Sequence, residues 1–349
     1  MITLQSYSMG HDAQYTADFT SVLRATLTIL AAAILAAGSA TAQPTSTGSG
    51  QAFPSKVVRL VVPGTAGGSN DVVARAMSSP LSKALGQSVV VENRPGASSI
   101  IGAEMVARSP ADGHTVLIGG FPFMSLAALR TKLPFDPIKD FVAVTRIGTQ
   151  PSVISVHPSL PVKSIKELIA LARARPGQLV YACSGYGTAQ HLSGELLKVR
   201  SGIDMKLVVF QGPAQSTVAV LGGHASILIT TLPPIMHHIP AGKLRPLAVT
   251  SHERSHLLKD VPTMMESGVP EFDISGGMGV FAPAATPKAA IERLNAEITR
   301  VVQLPEVKDG MLRDGFVVAP LGPAEYEAFT HDKIQQIRSI AKAANIKLD

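Results

Sequence analysis

The sequence predicts an α/β fold of two domains, each a mostly parallel sheet flanked by helices. Three observations support this prediction. Apolar runs of strand length alternate with amphipathic segments of helix length along most of the chain. Most of these strands lead into a Gly- or Pro-rich loop, as in a doubly wound sheet. The order strand, small-residue loop, helix occurs twice, at 57–85 and at 179–200, and 349 residues suffice for two domains.

The N-terminal segment indicates export. Residues 25–37 are apolar but too few to span a bilayer comfortably, and Ala40-Thr41-Ala42 fits a signal peptidase site before Gln43. We therefore expect residues 1–42 to be a cleaved signal peptide. Residues 43–52 are polar and low in complexity, which predicts a flexible leader.

The first half of the mature chain predicts one sheet. Strands are expected at 57–62, 88–91 and 115–118, and helices at 70–85 and 97–108. Pro80 lies inside the first of these helices, where we expect a kink. Ligands bind beyond the carboxyl ends of parallel strands, so the loops that follow these strands, at 64–68, 94–99 and 119–123, are candidate site segments.

Two further strands predict how the chain divides into domains. Strands at 141–147 and 151–156 follow one another after a short break, which predicts a crossing into a second domain, and 279–282 predicts the return. We expect domain 1 to comprise 53–150 and 277–349, and domain 2 to comprise 151–276. The remaining expected elements are strands at 179–182, 207–210, 225–230 and 247–250, a helix from Ser164 to Arg175, and helices at 189–200, 287–303 and 324–344.

Composition excludes several functions. With 46% apolar and 16% charged residues the chain is a packed globular protein. The formal charge of +6 is spread along the sequence without a basic run interleaved with aromatics, so nucleic-acid binding is not expected. The single Cys183 excludes a Cys-based metal cluster, and the adjacent His237 and His238 would point in different directions on a helix. We expect neither a metal nor a cofactor.

The loop between the first strand and the first helix is the main candidate site. Its backbone N–H groups lie at a helix start, where the positive end of the helix dipole favours an anion without Lys or Arg. Asp71 would repel that anion if it faced the pocket, so we expect it to brace the loop. The alternative is an ordinary strand-to-helix turn with a cap. The candidate ligand-binding residues here are Thr65, Ala66, Gly67, Gly68, Ser69, Asn70 and Asp71.

The second small-residue loop is expected to hold the same ligand from the opposite side. It resembles a dinucleotide-binding turn only superficially, because Gln190 replaces the third glycine and no acidic residue follows at the required distance. His191 could donate to a ligand, with a packing or helix-bracing role as the alternative. The candidates are Ser184, Gly185, Tyr186, Gly187, Thr188 and His191.

The motifs of common hydrolases are missing. The sequence contains no Gly-x-Ser-x-Gly elbow and no His-Glu-x-x-His, and the candidate loops are poor in titratable groups. We therefore predict a binding protein with no catalytic residue. An exported hydrolase or isomerase acting on a small acid remains the rival in another class.

Eight segments in one order resemble the substrate-binding component of the tripartite tricarboxylate transporters, the Bug receptor family. The segments are FPSKVVRLVVP from Phe53, GGSNDVVAR from Gly67, LGQSVVVENRPGA from Leu85, LPFDPIKDF from Leu133, SGYGTAQHLSGEL from Ser184, AGKLRPLAVTS from Ala241, DVPTMMESGVPEF from Asp260 and FAPAATPKAAIERLN from Phe281. The resemblance implies a two-domain periplasmic-binding-protein fold of the type II, or Venus flytrap, kind. It also implies a monomeric periplasmic receptor that closes on a small organic acid and delivers it to a membrane permease.

Departures from the family pattern bear on the ligand. The family usually has aromatic and Pro residues where Gly64, Thr65 and Ala66 stand, and acidic residues where Ser226 and Thr230 stand. Without those acids an ammonium group has no counter-ion, so the resemblance implies a di- or tricarboxylate or an aromatic acid, with Thr230 among the ligand-binding residues. Closure is expected about hinges at 149–153 and 276–280. A receptor that presents its ligand to a sensor kinase would use the same closure.

Overall fold

The structure is a computed structural model and describes residues 53–346. The predicted signal peptide, 1–42, and leader, 43–52, lie outside the described residues. In the described part of the chain, no helix is both long and apolar enough to cross a bilayer.

The described residues form eleven strands and nine α-helices. The strands are β1 (Val58–Val62), β2 (Val89–Asn93), β3 (Thr115–Gly119), β4 (Phe141–Gln150), β5 (Ser152–Val156), β6 (Val180–Cys183), β7 (Lys206–Val209), β8 (Ile227–Thr231), β9 (Arg245–Val249), β10 (Gly276–Pro283) and β11 (Val317–Leu321). The helices are α1 (Ser69–Leu85), α2 (Ile100–Ala107), α3 (Phe121–Leu129), α4 (Ile165–Ala174), α5 (Ala189–Ser201), α6 (Pro213–Leu221), α7 (Lys288–Val302), α8 (Pro305–Arg313) and α9 (Pro323–Ala343).

The strands make two separate sheets. The first has the order β11-β4-β10-β3-β1-β2 and the second the order β7-β6-β8-β5-β9. Pairing is parallel where β1 meets β2 and β3 and where β6 meets β7 and β8, and antiparallel elsewhere. Both sheets are therefore mixed, and the prediction of mostly parallel sheets is wrong in this detail.

The antiparallel pairs follow from the way the chain passes between the sheets. Strand β4 continues into β5 after the single residue Pro151, and β10 returns beside β4 with Gly276 opposite Gln150. Strand β4 carries the chain out of the first sheet and β10 brings it back alongside β4, so the two strands run in opposite directions. The crossing and the return lie where the sequence predicted them, although β10 begins three residues earlier.

Apolar side chains alternate across β1 and bury it on both faces. Leu60 and Val62 pack with Met77 of α1, whereas Val61 packs with Val106 of α2 in another cluster. A strand covered on both faces reads as a continuous apolar run, which is why RLVV was recognisable as a strand. This packing fixes the start of α1 at the carboxyl end of β1.

Four elements were missing from the sequence-based prediction: α3, α6, α8 and β11. Helix α3 has seven of its nine residues buried, so it lacks the apolar and polar faces that mark a surface helix. Helix α2 also begins later than predicted, at Ile100, because Ala97, Ser98 and Ser99 all have positive φ. Helix α1 continues through Pro80 to Leu85.

Candidate ligand-binding cleft

A cavity of about 170 Å³ lies between the lobe built on the first sheet and the lobe built on the second. Ser69, Asn70 and Phe121 line it from one side, and Ser184, Thr188 and Gln190 from the other. Drug-sized ligands occupy sites of roughly 300–1,000 Å³, so this volume suits a smaller solute. The cavity brings together the two loops that the sequence singled out.

Four helices begin at this cavity. Residues at the first turns of α1 (69–70), α3 (120–122), α5 (188–190) and α6 (213) all line it. Each helix start is equivalent to about half a positive elementary charge. Every described residue that lines the cavity is uncharged. The backbone therefore makes the cavity electropositive, and an anion is the ligand that such a site favours.

Asp71 braces the first loop. Its side chain is buried, and Oδ2 accepts hydrogen bonds from the Gly67 N–H at 2.8 Å and from Arg75 Nε at 3.0 Å. Burial alone would raise the pKa of Asp71, but these hydrogen bonds hold the pKa below its usual value. The carboxylate is thus ionised and turned towards the loop, and it does not line the cavity.

The first loop offers its free amides further along the chain than the sequence predicted. The Gly67 N–H is bonded to Asp71, and the Gly68 N–H to the Thr65 carbonyl at 3.2 Å. Residues 65–68 are exposed and lie outside the cavity wall. In the described residues, the N–H groups of 69–71 have no acceptor, as expected at the first turn of a helix. Ser69 and Asn70 are therefore the residues of this loop best placed for a ligand.

The second loop is capped by Thr188. Its Oγ1 accepts from the His191 N–H at 3.3 Å and donates to the Gly185 carbonyl at 2.8 Å. The amides of Ala189 and Gln190 have no acceptor in the described part of the chain, and both residues line the cavity. The second helix start thus repeats the chemistry of the first.

His191 holds this loop in place. The Gly187 N–H donates to His191 Nδ1 at 3.1 Å, so Nδ1 is unprotonated. The ring is 3% exposed, and burial lowers the pKa of His191, which keeps the imidazole neutral. His191 does not line the cavity. These contacts fit the bracing role that the sequence left open, and contact with a ligand stays a prediction.

Of the remaining predicted residues, some line the cavity and others lie beside it. Ser184 lines the cavity, whereas Gly185, Tyr186 and Gly187 border a neighbouring cavity. Tyr186 is 65% exposed. Thr230 is fully buried, and the next residue, Thr231, lines the cavity in its place because successive side chains of a strand point to opposite faces.

Several wall residues were not predicted. Gln190 links helix α5 to β5 through a buried hydrogen bond from Nε2 to Ser152 Oγ at 2.9 Å. Pro122 and Pro213 mark the starts of α3 and α6, and a Gly followed by a Pro at the first helical positions was the signal that could have revealed both helices. Gly120, Phe121 and Pro122 belong to the candidate loop at 119–123, although the sequence did not single them out as binding residues. The other unpredicted wall residues are Gln150, Ala189, Thr231, Gly276, Gly277, Met278 and Phe316.

Among residues 53–346, no three His, Cys, Asp or Glu side chains gather in a way that could hold a metal ion. Cys183 is buried beside the second loop, and burial raises the pKa of its thiol to about 11. The thiol is therefore protonated near neutral pH. The arrangement offers hydrogen-bond donors and no nucleophile paired with a base.

Comparison with known proteins gives a family and a fold. Residues 73–346 match the family described as "Tripartite tricarboxylate transporter family receptor". Protein BugT of Bordetella pertussis is 34% identical over 302 residues, 86% of this chain and 93% of BugT.

Solved structures of similar sequence have the same fold as this chain. The structure of R. palustris Rpa4515 with adipate is 34% identical, with a TM-score of 0.76 over 85% of this chain and 99% of that one. The periplasmic binding protein BugD is 29% identical, with a TM-score of 0.73 over 84% of this chain and 99% of that one. These similarities confirm the predicted two-domain periplasmic-binding-protein fold.

Proposed function

Because the chain belongs to the family of tripartite tricarboxylate transporter receptors, we propose that it captures a small organic carboxylate in the cleft between its two sheets. The observation that carries this proposal is the convergence of four helix starts on a cavity whose described lining is uncharged. A carboxylate is an anion that accepts several N–H bonds at once, and these helix starts supply the N–H groups.

The family is one of receptors and not of enzymes, as the sequence predicted. Reversible capture suits this site, since its donors are backbone amides and neutral side chains. The binding of adipate to Rpa4515, a relative with 34% identity, supports a dicarboxylate as the ligand here. Ser226 and Thr230 do not line the cavity, so the absence of acidic residues at these two positions does not decide the ligand. The uncharged lining gives an ammonium group no acidic partner, which favours a plain acid over an amino acid.

Closure of the two lobes about their connecting strands completes the proposed binding step. The hinges are 149–153 and 276–280, where β4 and β10 pair and the chain passes into β5. Because Thr65 to Gly68 and Tyr186 are exposed in the described conformation, they are available for contacts made only when the lobes close. Such contacts are needed if the ligand is to shift the equilibrium towards the closed state.

The proposal includes export of the protein and delivery of its ligand. Residues 1–42 act as a cleaved signal peptide, the mature receptor works in the periplasm as a monomer, and it passes its ligand to the membrane subunits of a tripartite tricarboxylate permease. The family description, a receptor of tripartite tricarboxylate transporters, supports the delivery step.

A binding screen tests the function. The melting temperature of the purified protein is measured with succinate, adipate, citrate, benzoate and aspartate, and each acid is then recovered and examined by NMR. We expect at least one plain carboxylate to raise the melting temperature and to be recovered unchanged, with aspartate less effective. Turnover of an acid would favour the enzyme, and the absence of any shift would contradict carboxylate capture.

A further inference from the structure

A second cavity, of about 320 Å³, lies beside the first. Pro122 and Thr188 border both cavities. Its other walls come from helix α3 and the residue after it, from the turn at 97–99, and from the loop at 185–187. The second cavity therefore lies between the same two lobes as the first and adjoins it at these two shared residues.

Ser125 places an unsatisfied hydroxyl at this second cavity. Its side chain is 3% exposed, and Oγ has no hydrogen-bond partner in the described residues. Serines inside helices commonly bond the carbonyl four residues earlier, but Ser125 makes no such bond to Phe121. A buried hydroxyl left without a partner costs free energy, so a ligand group that reached Ser125 Oγ would gain a hydrogen bond there.

Arg130 supplies a positive charge to the same cavity. It follows the last residue of α3, and the described residues give its guanidinium no hydrogen-bond or ion-pair partner. Among the described residues that line the second cavity, Arg130 alone is charged. A guanidinium presents paired donors that match the two oxygens of a carboxylate.

The turn opposite α3 has an unusual backbone. Ala97, Ser98 and Ser99 have φ of 46°, 54° and 82°, a conformation that non-glycine residues rarely adopt. Strain of this kind persists where surrounding structure or function requires it. Here it brings Ser98 and Ser99 to the wall of the cavity that also contains Arg130.

We propose that the second cavity binds the distal carboxylate of a dicarboxylate whose first carboxylate lies at the helix starts of the first cavity. Arg130 and Ser125 recognise that distal group, and Leu126 and Tyr186 contact the methylene chain between the two ends. This inference rests on the proposed function and deepens it, because it assigns the selectivity for a diacid over a monoacid to named side chains.

The test compares diacids with monoacids of equal length. Isothermal titration calorimetry on the purified protein gives the dissociation constants for the series from succinate to suberate and for the monocarboxylates with the same carbon numbers. The ratio of monoacid to diacid dissociation constants is the selectivity. It is measured for the wild type, for Arg130→Met and Ser125→Ala, and for Lys132→Met, an exposed control with the same charge change that does not line the cavity.

We expect the wild type to prefer one diacid, Arg130→Met to reduce the selectivity about tenfold or more, and Lys132→Met to preserve it. Ser125→Ala should also reduce selectivity while leaving the melting temperature of the free protein unchanged or higher, because it removes an unsatisfied hydroxyl. A purely structural serine would not show this combination.

The opposite outcomes separate the two proposals. Equal binding of monoacids and diacids by the wild type, or unchanged selectivity in both Arg130→Met and Ser125→Ala, would overturn the second subsite and leave carboxylate capture standing. If no acid of either series binds, the proposed function fails, and the subsite fails with it.

Discussion

At the scale of single residues, Ser69 tests whether backbone amides hold the ligand. Ser69 is the first residue of α1, and Gly68 before it has an extended ψ of 162°, so a proline fits there without disturbing the helix. Ser69→Pro removes the hydroxyl and the N–H, whereas Ser69→Ala removes the hydroxyl alone. We expect Ser69→Pro to weaken binding of the carboxylate that the screen identifies about tenfold relative to Ser69→Ala in calorimetry.

Lys288→Pro is the matched control for that substitution. Lys288 is the exposed first residue of α7, which does not border the cavity, and Pro287 before it is also extended. Lys288→Pro removes an N–H from a helix start outside the cavity and should leave the affinity for the same carboxylate unchanged. Equal affinities in Ser69→Pro and Ser69→Ala would show that the Ser69 amide does not bind the ligand.

Asp71 links pH to the stability of the first loop. The pKa of Asp71 is held below its usual value, so its contribution to the free energy of unfolding is complete above the ordinary aspartate pKa of about 3.9 and is lost as the pH falls through the lower, folded-state pKa. We expect Asp71→Asn to lower the free energy of unfolding by about 1–3 kcal/mol at pH 7, measured in urea.

The difference between wild type and Asp71→Asn should shrink only in acid, below about pH 3.9. Asp309→Asn, an exposed carboxylate in α8, serves as the control and should change little at any pH. A gap between wild type and Asp71→Asn that persists unchanged to pH 2 would contradict the role given to the ionised carboxylate.

Local sequence predicted two loops that border the cavity, but not which of their residues line it. The glycines at 67 and 68 were correctly placed in a bend, yet their amides are used within the loop by Asp71 and Thr65. That choice depends on rotamers and turn geometry, which no spacing rule contains. Thr230 was chosen from the family resemblance, which does not fix the facing of a strand residue, and the structure has Thr231 and not Thr230 in the cavity wall.

At the scale of elements, the packing of α5 on β6 fixes the second helix start. Gly194 lies against the ring of Tyr181, and a Cβ at Gly194 would lie 2.3 Å from Tyr181 Cε2. The Tyr181 hydroxyl donates to Glu195 at 2.6 Å in the buried interface, and burial together with this bond raises the pKa of Tyr181. The helix can approach the strand this closely only because residue 194 has no side chain.

Gly194→Ala should therefore lower the free energy of unfolding by about 1–3 kcal/mol through overpacking. Gly310→Ala is the control, since Gly310 is also helical but its Cβ would meet nothing nearer than 3.8 Å, and alanine should there raise the free energy of unfolding by about 0.5–1 kcal/mol. Urea unfolding of both variants measures the sign of each change in the free energy of unfolding. A stabilising Gly194→Ala would contradict the close approach.

Two of the elements that the sequence-based prediction lacked, α3 and α6, begin at the cleft. Helix α3, FPFMSLAAL, is buried almost all round, so its sequence has no amphipathic period and was interpreted as a loop. Helix α6 is short and begins at Pro213 directly after Gly212. The longer amphipathic helices α7 and α9 were predicted to within a residue at each end, because their apolar faces repeat over several turns.

At the scale of the whole molecule, the site exists only where the two lobes meet. Neither sheet alone provides more than two of the four helix starts, since α1 and α3 follow strands of the first sheet and α5 and α6 follow strands of the second. An anion between them is attracted by both lobes at once. Binding therefore favours their approach, in addition to filling the cavity.

Closure on a ligand should change the whole molecule and both loops together. A saturating concentration of the carboxylate that the screen identifies should reduce the radius of gyration in small-angle scattering. It should also slow hydrogen exchange at the amides of 65–71 and 185–190 together, because both loops would be covered by the same event. Exchange in α8, which does not border the cleft, should remain unchanged and so serves as the internal control. Protection confined to one of the two loops, or a constant radius of gyration at saturation, would mean that the ligand binds one lobe without drawing the other towards it. The two-lobed attraction argued from the helix starts would then be wrong.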